Sequence, residues 1–162
     1  MKQIVLCKLL VTLLVFAFPC TAGGDDPPLV LVFEVRKPFA EAYQEIHAAL
    51  EEARFYVIFE ANIGKNLARN AERWGEDYNR NGFEHIKSLV ICNPWYANQA
   101  LNLDPRFMGM CPLTVGVVHR QGLTTVYFRR LTNLAGSRAE DLLWEVENTI
   151  ISAIETVAEL KN

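Results

Sequence analysis

The chain has 162 residues, of which 51% are hydrophobic and 22% are charged, enough for one domain with a buried core. Its formal net charge of −3 leaves no strong positive field to attract phosphate backbones, which argues against nucleic acid as a partner. Aromatic residues make up 10% of the chain, and this content excludes a disordered or low-complexity protein.

The first 22 residues have the layout of a secretory signal peptide. Lys2 and Lys8 come before the apolar stretch 9–18, and small residues follow that stretch up to Ala22. The stretch is about half as long as the ~20 residues that cross a bilayer. We therefore expect cleavage after Ala22 and a periplasmic or secreted protein with no transmembrane segment after cleavage.

Cleavage leaves a short lead and one domain. Residues 23–28 (GGDDPP) resist both helix and strand and predict a disordered lead, so that residues 29–162 form the single domain. The signal peptide carries two of the four cysteines, and the mature domain keeps Cys92 and Cys111. A lipoprotein anchored through Cys20 is the less favoured alternative, because bulky residues precede that cysteine.

The first half of the domain alternates strands and helices. Residues 29–36 (LVLVFEVR) are a near-continuous apolar run, which predicts a buried strand. Pro38 can open a helix, and apolar residues then recur at helical spacing as far as Ala53. The β-branched and aromatic residues over 54–63 predict a second strand, and a short helix is expected over 67–74.

The second half begins with a third strand over residues 86–92 (IKSLVIC), which Pro94 ends because proline cannot continue a central strand. A short helix is expected over 95–101. Residues 113–119 and 123–130 are two further strands separated by a compact loop with a glycine, a pattern that predicts a β-hairpin.

A long amphipathic helix ends the chain. Ser137 and Glu140 are spaced as a capping box, and an apolar stripe at helical spacing follows as far as Val157. The predicted order is strand, helix, four strands, helix. This order favours an α+β two-layer sandwich, in which an antiparallel sheet, with its last four strands as a meander, carries the helices on one face.

The segment 89–112 (LVICNPWYANQALNLDPRFMGMCP) contains four motifs in a fixed order. They are Cys92-Asn93-Pro94 at a strand end, a helix through Ala100, the pair Asp104-Pro105 and the step Cys111-Pro112 into a hairpin. This order resembles the bacterial family called domain of unknown function 302. Members of that family often have Pro before Cys at the second step, where this chain has Cys before Pro.

The resemblance implies a fold like one half of the TATA-box-binding protein, commonly dimeric, with no established catalytic residue. DNA binding does not follow from such a fold, and the acidic charge argues against it. We expect a homodimer, and a concave apolar surface or dimer groove lined by Trp95, Tyr96, Phe107 and Met110.

The candidate ligand-binding residues are Asn93, Trp95, Tyr96, Phe107, Met110 and His119. Asn93 has an alternative explanation, because asparagine side chains often cap helices such as the one expected at Trp95. In its predicted strand, His119 points to the same face as the alternating apolar residues. Packing at the end of the strand explains this histidine as well as ligand binding does. The ligand itself is not identified by the sequence.

Three sulfur-containing side chains, Met108, Met110 and Cys111, lie within four residues of one another and with His119 could hold a soft ion such as Cu(I). The function we expect is that of a small exported binding or accessory protein, and a carrier of soft metal or of noncovalent haem is the alternative. A thiol redox protein using Cys92 and Cys111 is the third. No zinc, covalent-haem, serine-hydrolase or nucleotide-binding motif is present, so no catalytic residue or cofactor is predicted and an enzyme is disfavoured.

A disulfide between Cys92 and Cys111 competes with the metal hypothesis. Cys92 ends one predicted strand, and Cys111 lies just before the next. If these strands are antiparallel neighbours, both cysteines lie at the same end of the sheet, within the usual Cα separation of about 5.5–6 Å. Export makes the bond chemically permitted.

Overall fold

The computed structural model describes residues 28–132, 136 and 138–161, which form a six-stranded sheet with the three longest helices on one face. The elements in chain order are β1 (Val30–Val35), α1 (Phe39–Glu52), β2 (Tyr56–Asn62), α2 (Ile63–Ala68), α3 (Ala71–Trp74), β3 (His85–Cys92), α4 (Pro94–Leu103), β4 (Leu113–Arg120), β5 (Leu123–Arg129), α5 (Glu140–Glu155) and β6 (Glu159–Lys161). Two short 3₁₀ helices lie at Gly75–Asp77 and Pro105–Gly109. The predicted α+β sandwich is confirmed.

The strands are ordered β2-β3-β4-β5-β1-β6, and all neighbours are antiparallel. The predicted meander of β2 to β5 is therefore correct. Gln121 and Gly122 connect β4 to β5, with φ of 52° and 75°. Two successive residues with positive φ match the twist of a two-residue hairpin, which explains the glycine at the second position.

The core lies between the sheet and the helices α1, α4 and α5. Alternate residues of each central strand point toward it, as the period of two requires. Its fully buried side chains include Phe33, Leu89, Ile91, Val115, Val117, Ile46, Leu50, Ile150 and Ile154.

The C-terminal prediction needs two corrections. Helix α5 begins at Glu140 with Ala139 as its N-cap, so Glu140 is the first helical residue and not the third residue of a capping box; Ser137 lies outside the described residues. The helix ends at Glu155, two residues before the predicted end of the apolar stripe at Val157, and the strand β6 that follows at Glu159–Lys161 was not predicted. β6 pairs with β1, whose backbone would otherwise be an unpaired sheet edge.

Two other predictions differ from the structure or lie outside it. The expected helix over 67–74 is two short helices, α2 and α3. The signal peptide over 1–22 and almost all of the lead over 23–28 lie outside the described residues. Within the described ranges, none of the helices is long and apolar enough to cross a membrane.

Candidate functional site

A small apolar cavity of about 40 Å³ lies among the end of β3, helix α4, the segment from Pro105 to Pro112 and helix α5. Its wall contains six of the residues singled out in the sequence, namely Cys92, Asn93, Tyr96, Phe107, Met110 and Cys111. Most of the remaining wall is aliphatic and includes Leu131, Leu143 and Val146. The segment with the family motifs therefore folds around one cavity.

Asn93 positions the first turn of α4 beside the cavity. Its Oδ1 accepts hydrogen bonds from the backbone N–H groups of Trp95 at 3.0 Å and Tyr96 at 3.2 Å. Pro94 occupies the start of the helix, where its missing N–H group is not needed. The capping explanation of Asn93 is thus correct for its side-chain oxygen, and the cap orients the helix so that Tyr96 faces the cavity.

Tyr96 connects α4 to two other elements. Its ring stacks on Phe55 with a centroid distance of 5.8 Å, and its hydroxyl donates a 2.7 Å hydrogen bond to Oε1 of Glu145 on α5. This hydrogen bond raises the pKa of Tyr96, because the carboxylate stabilises the protonated phenol. The phenol therefore stays protonated and joins α4 to α5 beside the cavity.

Asp104 holds the opposite wall in place. Its carboxylate is almost fully buried and accepts hydrogen bonds from the backbone N–H of Arg106 at 3.0 Å and from the Arg106 guanidinium at 2.6 Å. These bonds begin the 3₁₀ helix Pro105–Gly109. That helix places Phe107 and then Met110 on the cavity wall.

Glu147 is a positioning residue that the sequence did not reveal. It is only 3% exposed, and its carboxylate accepts hydrogen bonds from the backbone N–H groups of Leu131 at 2.6 Å and Thr132 at 3.0 Å, and from Arg130 at 2.9 Å. Leu131 lines the cavity, so this carboxylate fixes a part of its wall. One feature of the sequence could have revealed it. Glu147 lies at helical spacing within the apolar stripe, between Leu143 and Ile150, where a charged residue needs a buried partner.

The two cysteines are both half-buried, and both are free thiols. Neither thiol has a hydrogen-bond partner in the part of the chain that is described. Burial raises the pKa of the Cys111 thiol, and the charge of Cys92 adds to the rise. Because the thiolate is the reactive form, a raised pKa disfavours Cys111 as a nucleophile in a redox enzyme.

The other predicted site residues lie elsewhere. Trp95 is 66% exposed on α4 and does not line the cavity, and Met108 is 64% exposed. His119 is buried on β4, with Nδ1 2.8 Å from Oγ1 of Thr124, and its ring contacts Phe39 at the start of α1. The structure therefore does not bring His119 to Met110 and Cys111, and no cluster of three or more His, Cys, Asp or Glu side chains within the described ranges could hold a metal ion.

A second group of polar side chains connects α1 to the edge strand β2. Oε2 of Glu60 accepts a 2.8 Å hydrogen bond from the Tyr43 hydroxyl, and Nζ of Lys87 lies 3.7 Å from the same oxygen. His47 lies 3.7 Å from the other carboxylate oxygen. Each charged group in this cluster lies beside a group of opposite charge or a hydrogen-bond donor. These contacts explain the cluster by its role in holding helix α1 against the sheet.

Comparison with known proteins agrees with this fold. The family model described as domain of unknown function DUF302 matches residues 31–157. The crystal structure of an uncharacterised conserved DUF302 protein from Bacillus stearothermophilus has a TM-score of 0.69 and 18% sequence identity, covering 81% of this chain and 99% of that one. At that identity the similarity concerns the fold. The comparison with curated proteins gives no match.

Proposed function

The chain belongs to the DUF302 family, and from its cavity we propose that it is an exported binding protein that takes up a small apolar ligand. One observation carries the proposal: ten residues of the family-like segment 89–112 line one largely apolar cavity. Apolar walls with few polar groups are typical of small-molecule sites. The polar groups present are already engaged, since Asn93 caps α4 and Tyr96 binds Glu145.

The size of the cavity limits the ligand and the way it binds. A volume of about 40 Å³ holds little more than water, whereas a cavity of about 150 Å³ accommodates benzene. A ligand as large as benzene must therefore displace part of the wall. Met110 is the most adaptable wall residue, because it is half-buried and its unbranched side chain has several rotatable bonds.

Thermal unfolding with benzene as the probe tests this function. We expect benzene to raise the melting temperature of the mature protein, and Met110→Ala, which enlarges the cavity, to increase that rise. At ten times Kd the gain is about 1.4 kcal/mol, or roughly 4–6 °C for a domain of this size. Met108→Ala is the matched control, because this exposed methionine lies outside the cavity and should leave the shift unchanged. No shift in either wild type or Met110→Ala contradicts the proposal.

Export and self-association complete the proposal. The signal-peptide layout supports export to the periplasm or the medium. Trp95 and Met108 lie in the cavity-forming segment but are exposed outside the cavity wall, and such side chains are enriched in protein interfaces, which supports a homodimer through this side of the helical layer.

The two alternative functions have less support. A haem or soft-metal carrier using His119 would need that residue beside Met110 and Cys111, and it lies near Phe39 instead. A thiol redox enzyme is disfavoured by the raised pKa of Cys111.

A further inference from the structure

We propose that Cys92 and Cys111 form a reversible disulfide that prevents the cavity from widening, so that the reduced protein binds an apolar ligand and the oxidised protein does not. The ligand-binding half of this inference rests on the proposed function. The disulfide itself does not, and it can be tested separately.

The register of the sheet brings the two cysteines to the same end of neighbouring strands. The ladder between β3 and β4 ends with Ile91 opposite Leu113. Cys92 is the next residue on β3, and Cys111 lies two residues before Leu113 on the adjoining chain. Extending the register puts Cys92 opposite Pro112, the chain neighbour of Cys111. Opposite residues of antiparallel strands have Cα atoms about 4.5–5.5 Å apart, and disulfides accept Cα separations up to about 6.8 Å, so the bond to the next residue is within reach.

The surroundings of the thiols favour a bond between them over other uses. Both residues belong to the wall of one cavity, and the charge of Cys92 raises the pKa of Cys111, as expected for neighbours. Among the described residues, no hydrogen-bond donor or acceptor engages either sulfur. The wall around them is largely apolar, and none of the described residues that line it has a charged side chain to compete for the thiols.

The bond would connect a fixed part of the wall to the part that must move. Cys92 belongs to β3, which is paired on both sides by β2 and β4. Cys111 ends the segment that carries Phe107 and Met110, which is held by a 3₁₀ helix and not by the sheet. Because the cavity of about 40 Å³ has to widen for a guest as large as benzene, tying this segment to β3 opposes binding.

Thiol–disulfide exchange supplies a balanced route with oxidised glutathione as the oxidant. The Cys92 thiolate attacks one glutathione sulfur, and the other glutathione leaves as a thiolate that takes up a proton. The Cys111 thiol then loses its proton and attacks the Cys92 sulfur, which releases the second glutathione. Two protein thiols are oxidised, and one glutathione disulfide is reduced to two thiols. We assign the first attack to Cys92 because burial raises the pKa of Cys111.

The experiment compares the mature protein after treatment with a phosphine reductant and after oxidised glutathione. Thiols are counted in denaturant without reductant, and benzene binding is measured as the shift in melting temperature. We expect two thiols and a benzene-dependent shift for the reduced protein. The oxidised protein should have no thiols, carry no bound glutathione by intact mass, migrate as a monomer on a non-reducing gel and bind benzene at least tenfold more weakly. Cys92→Ser should bind benzene equally after both treatments.

The outcomes separate the two proposals. Two thiols after oxidation, or a disulfide-linked dimer on the gel, overturns the intramolecular bond whatever the binding result. No thiols with unchanged benzene binding overturns the effect on the cavity and leaves the proposed function intact. No benzene binding by the reduced protein overturns the proposed function and the control of binding with it, while the thiol count still decides the disulfide.

Discussion

Replacing Glu147 with alanine should cost the protein about 3 kcal/mol of stability. The carboxylate accepts hydrogen bonds from the backbone N–H groups of Leu131 and Thr132, and the first of these residues is fully buried. Each buried donor left without an acceptor costs about 1–3 kcal/mol. Arg130 also loses its partner, but its side chain is 25% exposed and can turn toward water, so it adds little.

Urea unfolding measures this loss directly. With a slope of about 2 kcal/mol per molar urea, 3 kcal/mol lowers the midpoint by about 1.5 M, against a total stability of roughly 5–15 kcal/mol. Glu147→Gln keeps one acceptor oxygen and should lose about half as much. Glu155→Ala on the same helix is the matched control: this glutamate is exposed, and its replacement should change stability by less than about 0.5 kcal/mol. A midpoint for Glu147→Ala within 0.25 M of wild type, at roughly the same slope, would refute the argument.

Three further predictions concern pH, export and association. Burial and the neighbouring Glu60 raise the pKa of Tyr43, so its contribution to stability is complete below pH 10, its ordinary pKa, and declines as the pH rises through the raised value. Tyr43→Phe should therefore lose about 1 kcal/mol at pH 7 and show a flatter stability curve above pH 10 in urea titrations; an identical pH dependence would count against this. Mass spectrometry of the exported protein should find Gly23 at the N-terminus, and a mature protein that still starts at Met1 would disprove cleavage. Sedimentation at micromolar concentration should detect a dimer that Trp95→Ala weakens, and a strict monomer would remove the proposed interface.

The strands and the long helices followed from the sequence because each has a strong local signal. The apolar run of β1 and the stripe of α5 have the periods of a strand and of a helix, and Pro94 marks the end of β3. β6 has no such signal. Its three residues form a strand because β1 offers an unpaired edge, which is a property of the assembled sheet.

The sequence predicted which segment carries the candidate site, but not which of its side chains face the cavity. The motifs from Cys92 to Cys111 indicated the stretch of chain that lines the cavity, and six of the nine residues singled out line it. Trp95 and His119 could not be sorted in advance, because whether a side chain faces the cavity depends on how α4 and β4 pack. Glu147 was missed since its partners are backbone groups of a connection that precedes α5.

The methyl signals of the two described methionines report most directly on whether the cavity beside Met110 takes up an apolar ligand. The protein is labelled with ¹³C at methionine methyl groups, reduced, and titrated with benzene while NMR spectra are recorded. The signals are assigned with Met108→Ala and Met110→Ala. We predict a saturable shift of the Met110 methyl with no comparable change at Met108, which is exposed and outside the cavity. Saturating benzene that leaves the Met110 signal in place, or moves both signals equally without saturation, would contradict the account.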